Sequence, residues 1–154
     1  MTRNTIANTF AIGAVAALAL GLTPMAKAER KECSIATLEG SFVRKDTGFV
    51  LAPPTVAGPL AGVHLLNFSG QGTFTSAGFS SLNGTVSEST GTGTYTVNPD
   101  CSGTYTSLSS TGRTGTAFFV IADNGNEIHI LPTNTGASIT CIARKVFPVG
   151  NPKD

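Results

Sequence analysis

From Ser41 onward the apolar residues come in short runs of Val, Ile, Leu, Phe and Tyr, interleaved with Thr and Ser and bounded by Gly, Pro, Asn or Asp. A period of two over four to eight residues belongs to a β-strand with one buried face, and no stretch of ten residues keeps the 3.6 period of a helix. Ten segments qualify: 41–45, 49–51, 60–68, 73–79, 85–89, 93–97, 103–108, 116–122, 127–131 and 138–146. Merging of short neighbours leaves about eight strands. The turns between them carry their own chemistry. Asn124-Gly125 suits a turn with positive φ, and Asn98-Pro99-Asp100-Cys101-Ser102 joins a proline of fixed φ to an aspartate able to bond the backbone ahead of it. Ser69-Gly70-Gln71-Gly72 and Asn83-Gly84 are two further turns. The unit Gly-Thr-aromatic-Thr recurs at 72–75, 93–96 and 103–106, where the threonines face one side of a strand start and the aromatic faces the other.

These signals predict an all-β fold, a single antiparallel up-and-down β-barrel of about eight strands, because closure removes exposed edges; a two-sheet β-sandwich is the alternative. Pro53, Pro54 and Pro59 place the segment 52–59 across one barrel end. Ahead of the strands the pattern changes. Arg3, the uncharged apolar run from Phe10 to Leu22, and Ala26-Lys27-Ala28 have the order of a secretory signal peptide, residues 1–28. The apolar run spans roughly 20 Å as a helix, short of the roughly 30 Å hydrocarbon core, so a transmembrane anchor is the poorer reading. Glu29 rather than Cys follows the cut, and the n-region has no twin arginine. The expected organisation is a lead-in at 29–40, a barrel domain at 41–147 and a C-terminal tail at 148–154, in a secreted or periplasmic protein with no membrane insertion after cleavage.

Charge narrows the partners. Only 12% of positions are charged and the formal net charge is +1, so no basic surface for nucleic acid is expected. The sequence sets no oligomeric state. The 3 cysteines of an exported chain imply one bridge and one odd thiol, with three possible pairings. Cys33 precedes the first strand and Cys101 sits in a turn, two places where a bridge leaves the ladders intact, whereas Cys141 lies inside an apolar run. Cys33 with Cys101 is the expected pair, and Cys141 is expected to be a small buried hydrophobe.

The chemistry-bearing residues are few. Glu127 and His129 share a strand face, but a metal site would need a third ligand such as His64, and neither metal nor cofactor is expected. His64 lies on the same face as Leu66 and Phe68 and can line a lumen. Phe74, Tyr95, Tyr105 and Phe118 fall where they can converge on one interior. They form either a packed core or an apolar ligand-binding wall, in which Tyr95, Tyr105 and His64 orient a small ligand. Arg44 is expected at a barrel end or in solvent. There is no Gly-x-Ser-x-Gly, and Gly78 to Leu82 reads as a loop. The carboxylates Glu39, Asp46, Glu88, Asp100, Asp123 and Glu127 lie mostly in or beside turns, which argues against paired acid–base work. Asp100 and Asp123 read as turn formers. No catalytic residue emerges.

The order of Cys33-Ser34-x-Ala36-Thr37-Leu38-x-Gly40-Ser41-Phe42, Phe68-Ser69-Gly70-Gln71-Gly72, Gly93-Thr94-Tyr95-Thr96-Val97-Asn98-x-Asp100-Cys101-Ser102-Gly103-Thr104 and Asp123-Asn124-Gly125-x-Glu127-Ile128 resembles a family of small exported bacterial proteins of unassigned function. That family has a calycin-like or allene-oxide-cyclase-like barrel, and the resemblance covers about residues 33 to 145. It carries the first two cysteines more regularly than the third, and it supplies no catalytic residue. The polar constellation of the plant cyclases has no counterpart here, so cyclase activity is not implied. The functional expectation is an exported, non-catalytic barrel for a small apolar or amphipathic ligand. The alternatives are a structural or surface-interaction protein with a solid barrel, and a cyclase- or isomerase-like enzyme that acts by holding a reactive substrate.

Overall fold

A computed structural model describes residues 32–147 of the chain; the expected signal peptide and C-terminal tail lie outside the described residues. Eight antiparallel strands form a closed barrel, β1 Glu39–Val50, β2 Gly58–Ser69, β3 Thr73–Leu82, β4 Thr85–Val97, β5 Ser102–Ser109, β6 Thr114–Ala122, β7 Glu127–Pro132 and β8 Ala137–Lys145, each paired with the next and β8 with β1. The barrel therefore replaces the sandwich alternative. The segments 41–45 and 49–51 merge into β1, and 85–89 and 93–97 into β4. The turns have the expected conformations, with Asn83, Gly84, Asn124 and Gly125 all at positive φ. Two local readings are corrected. Gly78 to Leu82 belongs to β3, because its backbone continues the ladder to β2 and β4. Pro59 lies within β2 opposite Phe49, so the β1–β2 connection is only residues 51–57.

Strand alternation divides the side chains into outward and inward files, and the inward files change along the barrel axis. At one end the inward residues are Phe42, Leu66, Phe68, Phe74, Tyr95, Phe119, Ile121, Ile128, Ile130 and Ala143, all buried in one core. Phe68 packs edge-on against Phe42 and Tyr95, with ring centroids at 5.4 and 5.1 Å. Gly93 underlies the Phe74 ring, where any Cβ would collide with it. The lead-in closes this end. Its short 3-10 turn, Ile35–Thr37, delivers the fully buried Leu38. Cys33 is bonded to Cys101 in the β4–β5 turn, as expected, and its N–H donates to the Pro99 carbonyl. The Tyr95 hydroxyl donates to the carbonyls of Leu38 (2.8 Å) and Ile35 (3.1 Å). One aromatic thus fills the core and satisfies the lid.

At the opposite end burial fades on most of the strands. The inward residues of β3 beyond Phe74 are Ser76, Gly78, Ser80 and Leu82; those of β5 beyond Tyr105 are Ser107 and Ser109; those of β4 towards its start are Gly91 and Ser89. All of these are half-buried although they face the barrel interior. Small side chains line this half of the barrel interior.

Candidate functional site

Where the apolar plug ends and the small-residue half begins, a charged shelf crosses the lumen. Phe42, Arg44 and Asp46 lie on the inward face of β1, so the two charges stand directly above the aromatic core. The Arg44 guanidinium donates from Nη2 to Asp46 Oδ2 at 2.9 Å, and Nε lies 2.8 Å from Oδ1 as an ion-pair contact, each of those two buried atoms lacking a hydrogen-bond partner. Both side chains are largely buried, at 16% and 8% exposure. Such a pair is held in the interior only because each charge neutralises the other. Burial alone would lower the Arg44 pKa; Asp46, with Tyr105 and Cys141, together more than offset it, and the guanidinium stays charged.

His64 on β2 faces the pair. Its Nε2 lies 3.5 Å from Asp46 Oδ2 and 3.1 Å from the Ser80 hydroxyl on β3. Burial and then the Arg44 charge hold this imidazole below its ordinary pKa, with Asp46 opposing. His64 is therefore neutral at physiological pH. Gly62 completes the cradle, because a Cβ there would sit 3.1 Å from His64 Nε2 and 3.2 Å from both Asp46 Oδ2 and Ser80 Oγ. The glycine leaves open the point where three polar groups converge.

Tyr105 and Cys141 border the shelf. Burial pushes the Tyr105 phenol up while the Arg44 charge pulls the other way, and no hydrogen bond among the described residues engages its hydroxyl. Burial, reinforced by the Asp46 charge, raises the Cys141 pKa so far that the group is a thiol and not a thiolate. It is the expected buried free cysteine.

A serine–histidine–aspartate relay uses both imidazole nitrogens, one towards each partner. Here Ser80 and Asp46 both address Nε2, so a proton taken from Ser80 has no aspartate behind it. Among the described residues no group of three or more His, Cys, Asp and Glu side chains is placed to hold a metal ion.

The residues expected at the site separate into three groups. His64 and Tyr105 stand at the shelf. Phe74 and Tyr95 belong to the solid plug, Tyr95 as the lid's anchor. Phe118 is corrected: it points outward and is 42% exposed, because its neighbour Phe119 takes the inward position. Arg44 and Asp46 are also corrected, from barrel end or solvent and from a turn respectively, to the buried interior of β1. The Glu127–His129 pair lies on the outer face, where Glu127 meets His129 Nε2 at 2.8 Å and Arg144 Nε at 2.7 Å, and those contacts hold its carboxyl below the usual range. Asp100 is a turn former, accepting from the Ser102 N–H at 2.9 Å and from the Ser102 hydroxyl.

A groove of about 800 Å³ on the outer wall is lined by Asn67, Thr73, Thr75, Thr92, Thr94 and Thr106 among others, and carries no charged group. No helix among the described residues is long and apolar enough to cross a membrane. Compared with family models and with curated proteins, the chain matches none.

Proposed function

We propose that the chain is an exported, non-catalytic binding barrel for a small amphipathic molecule, which enters the open half and sets its polar end on the Arg44–Asp46–His64 shelf. The observation that carries this reading is the abrupt change along the inward files, from a packed aromatic plug to half-buried Ser and Gly, at the level of a buried charged pair. Export is supported by the Cys33–Cys101 bridge, since disulfides persist in oxidising compartments. The barrel architecture is compatible with the resemblance drawn from the turn motifs, and it carries no activity by itself. The enzymatic alternative is weakened by the single-nitrogen geometry at His64.

The test uses the amphipathic anion 1-anilinonaphthalene-8-sulfonate with the folded protein and with Ser107→Phe, which fills the lumen from β5. Enhanced fluorescence that is lost in the variant, together with added mass on the protein purified from its own host, supports the reading. Fluorescence unchanged by Ser107→Phe, with no retained mass, would overturn it.

A further inference from the structure

The connections between strands differ in kind at the two ends of the barrel. At the lid end they are residues 70–72, 98–101 and 123–126, which include the carboxylates Asp100 and Asp123. At the opposite end, the mouth, they are 51–57, 83–84, 110–113 and 133–136, and none of them carries a carboxylate. The last three are built from Asn, Gly, Ser and Thr, with Arg113 as their one charge. The β1–β2 connection is different. It reads Leu51-Ala52-Pro53-Pro54-Thr55-Val56-Ala57, with Thr55 as its only polar side chain. Leu51 is 60% exposed and Val56 43%, and Phe49 beside them at the end of β1 is 57% exposed. The barrel wall also exposes apolar side chains, but with polar or charged neighbours: Val63 and Ile142 each lie opposite Lys45, and Val120 lies opposite His129. The backbone of this connection asks as little of water as its side chains do. The N–H groups of Leu51 and Ala52 both donate to the Gly136 carbonyl (2.8 and 3.2 Å), that of Val56 to Pro53 (3.0 Å) and that of Ala57 to Pro54 (3.3 Å). Pro53 and Pro54 have no N–H at all. At most the Thr55 N–H is left for water to meet.

We propose that the β1–β2 connection docks the barrel on a phospholipid surface, with Leu51 and Val56 entering the boundary between headgroups and acyl chains. Entry into that boundary costs free energy for every charge and every unmet backbone donor, and this connection combines exposed apolar side chains with almost none of either. A protein partner requires no such economy, because it can supply acceptors to free N–H groups. A peptide would also find no strand to extend here, since the barrel is closed and two prolines occupy the connection. Charge agrees with the assignment. Arg113 is exposed at the same end and has no ion-pair partner among the described residues, so it is available to lipid phosphate. The mouth connections hold no carboxylate that an anionic surface would repel. The contact is peripheral and lies on the membrane without crossing it. It rests on the connection alone and not on what the interior holds.

Flotation of the protein lacking its expected signal peptide with protein-free vesicles of phosphatidylcholine, with and without phosphatidylglycerol, tests the proposal. Binding to both is expected, and it should be tighter where phosphatidylglycerol is present. Leu51→Glu and Val56→Glu should each lower the partition coefficient about tenfold or more, whereas Leu51→Phe should preserve it. Arg113→Gln should remove a gain of about fivefold on the anionic vesicles and leave binding to phosphatidylcholine alone unchanged. Both glutamate variants lie in an exposed connection and should keep their far-ultraviolet circular dichroism and thermal unfolding, which separates a lost contact from a lost fold. No binding to either vesicle, or equal binding by the original protein and both glutamate variants, would overturn the proposal. Binding to native envelope membranes but not to protein-free vesicles would assign the connection to a protein partner and overturn it as well.

Discussion

The two halves of this barrel share eight strands, one closed hydrogen-bond ladder and one inside–outside alternation, yet they solve different problems. In the closed half the inward residues are Phe42, Phe68, Phe74, Tyr95 and Phe119, which interlock beneath a lid held by a disulfide. In the other half the same files continue as Ser76, Gly78, Ser80, Gly91 and Ser107. Backbone pairing from β1 to β6 continues across the change, while β7 pairs with β8 only from Glu127 to Ile130; a ladder satisfies its N–H and C=O groups whatever the side chains are. One packed half therefore anchors the fold with large side chains, and the other is lined by small ones, two of which, Gly48 and Gly78, leave no room for a Cβ against the neighbouring backbone.

The sharpest way to break this comparison is to cut a large side chain from one half and a small one from the other. Phe42→Ala should cost about 4 kcal/mol of unfolding free energy in urea, whereas Ser107→Ala should stay within about 0.5 kcal/mol. Equal losses would erase the distinction between plug and vestibule. At the boundary, Asp46→Ala should cost roughly 3 kcal/mol by stranding the buried Arg44 charge, and adding Arg44→Met should return part of that loss. A double variant no more stable than the single would show that the pair is not energetically coupled. The two tyrosines provide a smaller contrast. Tyr95→Phe deprives the lid carbonyls of their donor and should lower stability by about 1–2 kcal/mol. Tyr105→Phe removes a hydroxyl with no protein partner and should change stability by less than about 0.5 kcal/mol.

The smallest effect is the pH response of the shelf. His64 is neutral in the fold with its pKa lowered, chiefly by burial, and the unfolded chain takes up the proton at its ordinary pKa of 6.5. The unfolded state then binds more protons, so stability should fall as pH drops below about 6.5, and His64→Gln should flatten that slope in thermal melts. Parallel pH profiles for the two proteins would place the histidine in water.

Much of the fold was legible because turn chemistry is local. Asn124-Gly125, Asn83-Gly84 and the Gly-Thr-aromatic-Thr units each specify a strand boundary on their own, and Cys33 and Cys101 stood out by lying in irregular segments. The shelf was not legible, and β1 shows why. One face of that strand carries Phe42, Arg44, Asp46 and Gly48, and the other carries Val43, Lys45, Thr47 and Phe49. Each face mixes aromatic, charged and small residues, so alternation alone cannot say which turns inward. Only the cross-strand neighbours decide, with Leu66 opposite Phe42 and His64 opposite Arg44. Phe118 and Phe119 pose the same problem, since either aromatic could have been the buried one. Gly62 left no signal, because an empty place beside a polar cluster exists only once three strands have come together.

The course of the first and last strands has a practical side. β1 starts beside the lid, and β8 finishes there too, with the Lys145 N–H donating to the Asn126 carbonyl and the Val146 N–H to that of Ser41. Both ends of the described chain therefore leave from the sealed pole, and only hairpin connections border the mouth. A tag, fusion partner or solid support attached through either end would hold the molecule by its base, with the rim facing outward. A fusion joined at Glu32 or after Phe147 leaves from the sealed pole, whereas one placed ahead of the expected signal peptide would be removed with it.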